Sequence, residues 1–126
     1  MARGWLGAGI LLLFLVLGLV VTGAMDKAHL STGQMLEKAA DQSLEGDLDE
    51  ATALAMAAKA RWERQHQGTA TVADHNPMDD VDRLFAQMEV YAKAQEAPHF
   101  AACCVELAHL LQATADAHRF SWWNLL

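Results

Sequence analysis

The sequence has little that breaks, staples or stiffens a chain. Only two prolines, Pro77 and Pro98, interrupt 126 residues, so long helices meet few obstacles. The two cysteines are adjacent, Cys103 and Cys104, which excludes a disulfide framework and a CxxC-type zinc site. Consecutive helical residues point about 100° apart, so a vicinal disulfide would break a helix there, and the pair reads as two buried thiols. Positive charge is scarce: 9 Lys and Arg oppose 16 Asp and Glu, for a net charge of -7. The basic residues form no cluster, which removes nucleic acid as a partner, because displacing counterions from phosphates needs a basic footprint. Attraction to anionic headgroups is disfavoured for the same reason. There is no HExxH pair, no serine elbow and no glycine loop able to cradle a phosphate.

What is present is alanine, together with one long apolar run. Alanine is the best helix former and β-branched residues are few beyond the N-terminal stretch, so helix is favoured nearly throughout. Trp5 to Met25 (WLGAGILLLFLVLGLVVTGAM) carries no charge and is bounded by Arg3 and the Asp26–Lys27 pair. About 21 residues of helix rise roughly 31 Å, enough to cross a bilayer. Residues 1–25 therefore read as a membrane anchor, or alternatively as a signal sequence. The apolar stretch exceeds the usual length of a signal's apolar core, and Thr22-Gly23-Ala24 is only a weak cleavage site, so an uncleaved anchor is the preferred expectation. Arg3 and the amino terminus place the short end in the cytoplasm. Residues 26–126 are then expected outside it, as the C-terminal domain of a single-pass protein of the cell membrane. Gly18 and Thr22 form a small-xxx-small pair of the kind that lines helix contacts in membranes.

Helical periodicity divides the rest. Ser31 to Leu44 is weakly amphipathic, with Leu36, Ala40, Ser43 and Leu44 on one side, and is positioned to extend the membrane helix outward. Gly46 interrupts it, and Asp47 with Glu50 has the spacing of a capping box. The second helix carries the stripe Leu48, Ala51, Ala55, Ala58, Trp62 and His66. It either frays at Gly68 to Val72, where helix formers are poor, or continues to Asp74–His75. Asn76–Pro77 marks the next start, with Asp79, Asp80 and Asp82 at the positive end of the dipole. That helix is expected to reach about Glu96, with Val81, Leu84, Phe85, Met88, Tyr91 and Ala92 on its apolar face. Pro98 opens the last helix, whose stripe is Phe100, Cys103, Cys104, Leu107, Leu110 and Leu111, with Glu106, His109 and Asp116 opposite.

The expected fold is all-α: an N-terminal transmembrane helix followed by a small bundle of antiparallel helical hairpins. The Gly46 to Ala51 turn, with Ala58 beyond it, looks like the inter-helix turn of a tetratricopeptide repeat, a likeness that supports hairpin geometry and nothing more. A second copy around Ala101 and Ala108 lacks the glycine.

In layout the chain resembles the small membrane-anchored bacterial proteins, mainly of Firmicutes, catalogued as domain of unknown function 4363. The carriers are the N-terminal span, the acidic GDLDEA turn, Trp62 followed by His66, Asp74–His75 leading into Asp79, Asp80 and Val81, then Tyr91, and the closing Asn124-Leu125-Leu126. Relatives tend to be rich in Lys, Glu and Leu, whereas this chain is rich in Ala and adds Trp122–Trp123. The resemblance implies an anchored helical domain with no assigned reaction, no cofactor and no catalytic residue to carry over. It also implies a multi-pass membrane protein as partner, with a role in the envelope or in sporulation.

Two sets of residues stand out as candidates. Phe120, Trp122 and Trp123 are the first, because aromatic anchors dominate binding when they fill a partner's pocket; the plainer account is that they fold back on the bundle or rest at the membrane interface. Trp62, His66 and His75 are the second, a potential pocket for a small molecule or metal, since neutral imidazole is the commonest nitrogen ligand. The plainer account makes Trp62 the core anchor and His66 the edge of its stripe. His99, Glu106 and His109 lie on a polar face that solvent explains. A nucleophilic cysteine would need exposure and a neighbouring base, and the stripe position of Cys103 and Cys104 predicts burial. The expectation is an interaction or scaffold module that is not an enzyme, holds no cofactor or metal, and meets lipid through its first helix.

Overall fold

The structure, a computed structural model, describes residues 2–66 and 76–123; within these, the side chains of residues 2–6, 22, 25, 76, 77 and 118–123 lie outside the description. Four helices occur among the described residues: α1 (Ala2–Leu44), α2 (Leu48–His66), α3 (Asn76–Lys93) and α4 (Ala97–Trp123). The all-α expectation is met. The first helix crosses residues 25 and 26 without interruption, so the apolar run and the first core-forming segment are one rod.

Each hairpin closes through the same hydrogen-bonded turn. At the end of α1 the Asp47 N–H donates to the Gln42 carbonyl (3.0 Å) and the Gly46 N–H to the Ser43 carbonyl (3.3 Å). This pattern satisfies the last carbonyls of a helix and requires a left-handed residue after it. Gly46 supplies that residue, at φ 99°. At the end of α3 the Glu96 N–H donates to the Tyr91 carbonyl (3.0 Å) and the Gln95 N–H to the Ala92 carbonyl (3.2 Å). Here Gln95 takes the left-handed place at φ 60°. The residue that ends each turn also starts the next helix. The Ala51 N–H donates to the Asp47 carbonyl and the Phe100 N–H to the Glu96 carbonyl, while the Asp47 carboxylate accepts from the Glu50 N–H at 3.2 Å. The expected N-cap at Asp47 is therefore present.

The buried positions of the two hairpins correspond as well. Leu36 and Ala39 match Phe85 and Met88, and Ala51, Ala55, Ala58 and Trp62 match Phe100, Cys104, Leu107 and Leu111, all of them buried. A second turn of the same form is thus present, with glutamine where the first has glycine, but Phe100 and Leu107, not Ala101 and Ala108, stand where the first hairpin has Ala51 and Ala58. Small residues in the first hairpin let α1 and α2 approach closely, and the larger side chains of the second fill the common core.

The helices are arranged with α1 and α4 as the central pair, α2 packed on α1 and α3 on α4; α2 and α3 touch only lightly. Between these outer helices, Lys59 forms an ion pair with Glu89. Gly33 lies within the α1–α4 contact, where a Cβ would be 3.7 Å from the Ala108 carbonyl oxygen. Toward the turn, Leu44 borders a shallow groove with Pro98, Ala101, Ala102 and Val105. Since α1 advances from 33 to 44 as α4 retreats from 108 toward 98, the two run antiparallel.

Several expectations need adjustment. Leu36, Ala40 and Ser43 are buried, but Leu44 is 64% exposed, because the chain is already turning away from the core. The third helix stops at Lys93 rather than Glu96, since Gln95 and Glu96 are used for the turn. The α4 stripe holds, with Leu110 partly buried, and the same side of α4 also buries Ala101, Ala108 and Ala115. Gly68 to His75 lies outside the described residues, and with it the question of how far the second helix continues.

Candidate functional site

Where α1 leaves the bundle, three rings from two helices and a carboxylate from a third come together. His66 follows Trp62 by one helical turn, so both side chains share a face of α2. Their ring centroids are 3.6 Å apart, and His66 Nδ1 lies 3.3 Å from the Trp62 carbonyl oxygen. Across the α1–α2 contact His29 packs its ring 5.7 Å from that of Trp62 and 6.3 Å from that of His66. From α3 the Asp82 carboxylate accepts a hydrogen bond from the Trp62 indole N–H at 3.4 Å. Trp62 therefore ties three helices together, α1 through His29 and α3 through Asp82, where α2 and α3 touch only lightly.

Burial sets the electrostatics. His29 is 4% and Trp62 2% exposed. Burial pushes the His66 imidazole below its ordinary pKa, opposed by its contact with the Trp62 carbonyl and by the Asp82 charge, because the charged form loses solvation. The neutral imidazole then lies against the indole face as an aromatic partner. Trp62 offers almost no surface to a ligand, and among the described residues no three His, Cys, Asp or Glu side chains are placed to hold a metal ion. Of the expected set Trp62, His66 and His75, the first two are in contact, and His75 lies outside the described residues.

Sequence reading missed His29 and Asp82. His29 lies seven residues before Leu36, with the buried Thr32 between them, so the buried stripe of α1 extends backward through polar residues whose identity disguised it. By position Asp82 reads as a residue of the helix dipole, whereas it reaches sideways to α2. Nothing local in either residue signals its partner.

The remaining candidates all lie along α4. Cys103 and Cys104 are buried on α4. Burial pushes the Cys104 thiol up to about 12, with the neighbouring Cys103 adding to it; Cys103 is raised by burial and by Glu106. A nucleophilic thiol needs the opposite shift. His99 is exposed and belongs to the second turn, where its Nδ1 lies 3.1 Å from a Glu96 carboxylate oxygen and its ring stacks on Tyr91 with centroids 5.1 Å apart. Glu106 and His109 are exposed. Phe120, Trp122 and Trp123 lie in the last two turns of α4, their side chains outside the description.

The family model for Domain of unknown function (DUF4363) matches residues 22–125. The chain belongs to this family. Its matched part takes in both hairpins, the histidine and tryptophan cluster and the C-terminal end of α4, and leaves out most of the apolar run. Neither a curated protein nor a solved structure matches the chain. The DUF4363 description names no reaction, so any role has to be argued from the geometry.

Proposed function

We propose that this DUF4363 protein is a membrane-anchored helical module held outside the cytoplasm, which acts by binding a membrane protein of the cell envelope and catalyses no reaction. The observation that carries the reading is the continuity of α1. From Ile10 to Val21 its large apolar side chains are 51–70% exposed, and this helix is long and apolar enough to cross a membrane. A run of that size in water would be an aggregation site, whereas a bilayer accommodates it. The same helix then supplies His29, Leu36, Ala39 and Ala40 to the bundle. A rod with one end in lipid and the other in a packed core fixes the module at a set height and tilt, which suits a protein that presents a surface to a neighbour.

Arg3 supports a cytoplasmic amino terminus by the positive-inside rule. The upward-shifted, buried thiols argue against cysteine catalysis. The aromatic residues Phe120, Trp122 and Trp123 are the proposed contacts, at the end of the central helix α4. Crosslinking of intact cells followed by recovery of the full-length chain should yield one specific membrane protein, and replacing the three aromatics by alanine should abolish its recovery. An N-terminal tag should stay with the chain through alkaline extraction of membranes. A background-only recovery, or a chain released without its tag, would overturn the reading.

A further inference from the structure

We infer that the C-terminal end of α4 is a second membrane-embedded segment, entering the outer leaflet beside α1 and meeting lipid acyl chains through its aromatic residues. The inference rests on the anchored reading and adds a lipid contact to it.

Register carries the argument. The α1–α4 pair is antiparallel, with Gly33 against Ala108. Helices rise about 1.5 Å per residue, so equal steps from that contact reach equal heights. Twelve steps bring α1 back to Val21 and α4 forward to Phe120, and three more bring Gly18 level with Trp123. The uncharged run of α1 ends at Met25, a position level with Asp116. Everything in α4 beyond Asp116 therefore lies at the height of the apolar run, down to about 10 Å below its outer end.

Among the described residues, His66, the last of α2, packs near His29, above the end of the apolar run, whereas α4 runs past that level to Trp123. The residues of α4 after Asp116 fit the place, for they include Arg119, Phe120, Trp122 and Trp123. Tryptophan is enriched at the membrane interface, and an arginine one or two turns deep can reach back to the headgroups.

The exposure of α1 is a second, independent observation. Gly7, Gly9 and Gly23 are exposed, as are Leu17 and Leu19, yet Gly18 is partly buried. Gly18 is the α1 residue that the register sets level with Trp123.

The test uses the full chain in lipid nanodiscs. In one form Trp122 is the single tryptophan, with Trp5, Trp62 and Trp123 replaced by phenylalanine. In a second, Trp122 is also replaced and Val16→Trp reports on α1. Circular dichroism establishes that both are folded. Trp122 should emit at short wavelength, be quenched several-fold more by lipids brominated near the headgroup end of the acyl chain than by those brominated near its tip, and resist aqueous iodide. Quenching by iodide without quenching by brominated lipid, or by neither, overturns the inference. If the Val16→Trp reporter is quenched by lipid in that case, the anchored reading survives alone; if it is not, both fall.

Discussion

Gln95 occupies in the second hairpin the place that Gly46 occupies in the first, and it does so in the left-handed conformation that glycine adopts without strain and a side chain resists. Both residues end a helix with the same pair of backbone hydrogen bonds. The second turn therefore carries a cost of about 1 kcal/mol that the first does not.

Gln95→Gly should stabilise the protein by up to about 1 kcal/mol, and Gly46→Ala should destabilise it by a similar amount. In thermal denaturation followed by circular dichroism, the two should shift Tm in opposite directions, each by several degrees. Equal responses of the same sign would contradict the equivalence of the turns.

Gly33 offers the opposite experiment. A Cβ there would meet the Ala108 carbonyl oxygen at 3.7 Å, an ordinary contact. Gly33→Ala should therefore gain about 0.5–1 kcal/mol from helix propensity, while Gly33→Leu should lose about 1–3 kcal/mol by forcing α1 and α4 apart. Urea midpoints of the two variants decide it.

Truncating Trp62 should be among the most damaging single changes, because Trp62→Ala opens a cavity between three helices and orphans the Asp82 contact. About 3–5 kcal/mol is expected. Trp62→Phe keeps most of the ring packing and should cost roughly half as much or less. A drop in stability below 1 kcal/mol for the alanine variant would mean that the cluster is not packed as described.

The depressed His66 pKa has a definite sign. The unfolded chain takes up a proton at the ordinary histidine value, near 6.5, while the folded chain takes it up only at lower pH. Stability contributed by the neutral ring is thus complete above pH 6.5 and is lost as pH falls from there through the folded pKa. Denaturant midpoints between pH 7.5 and 5.5 should fall less steeply in His66→Gln than in the native chain. Identical slopes would show that His66 is solvated in the folded protein.

Both thiols should resist modification. With burial pushing Cys104 to about 12 and Cys103 upward, alkylation by iodoacetamide at pH 8 should be at least tenfold slower in the folded protein than in denaturant. Labelling of Cys103 at the denatured rate would place it in solvent.

The sequence by itself determined the helices, their order and most of their faces. Those properties are local: alanine content, stripes at three- and four-residue spacing, an aspartate cap at Asp47, and an apolar run long enough to span a bilayer are all written within a few turns of chain. It also carried the family, through order and spacing. Which helices pair, and what meets at the pairings, was decided only by the tertiary structure. His29 and Asp82 reach Trp62 across two different helix contacts, and Gln95 adopts a glycine's conformation in a turn that joins two helices with buried faces. The level of the α4 end relative to the apolar run belongs to the same class, because it depends on the contact of Gly33 with Ala108, which lie far apart along the chain and meet through packing that no local pattern encodes.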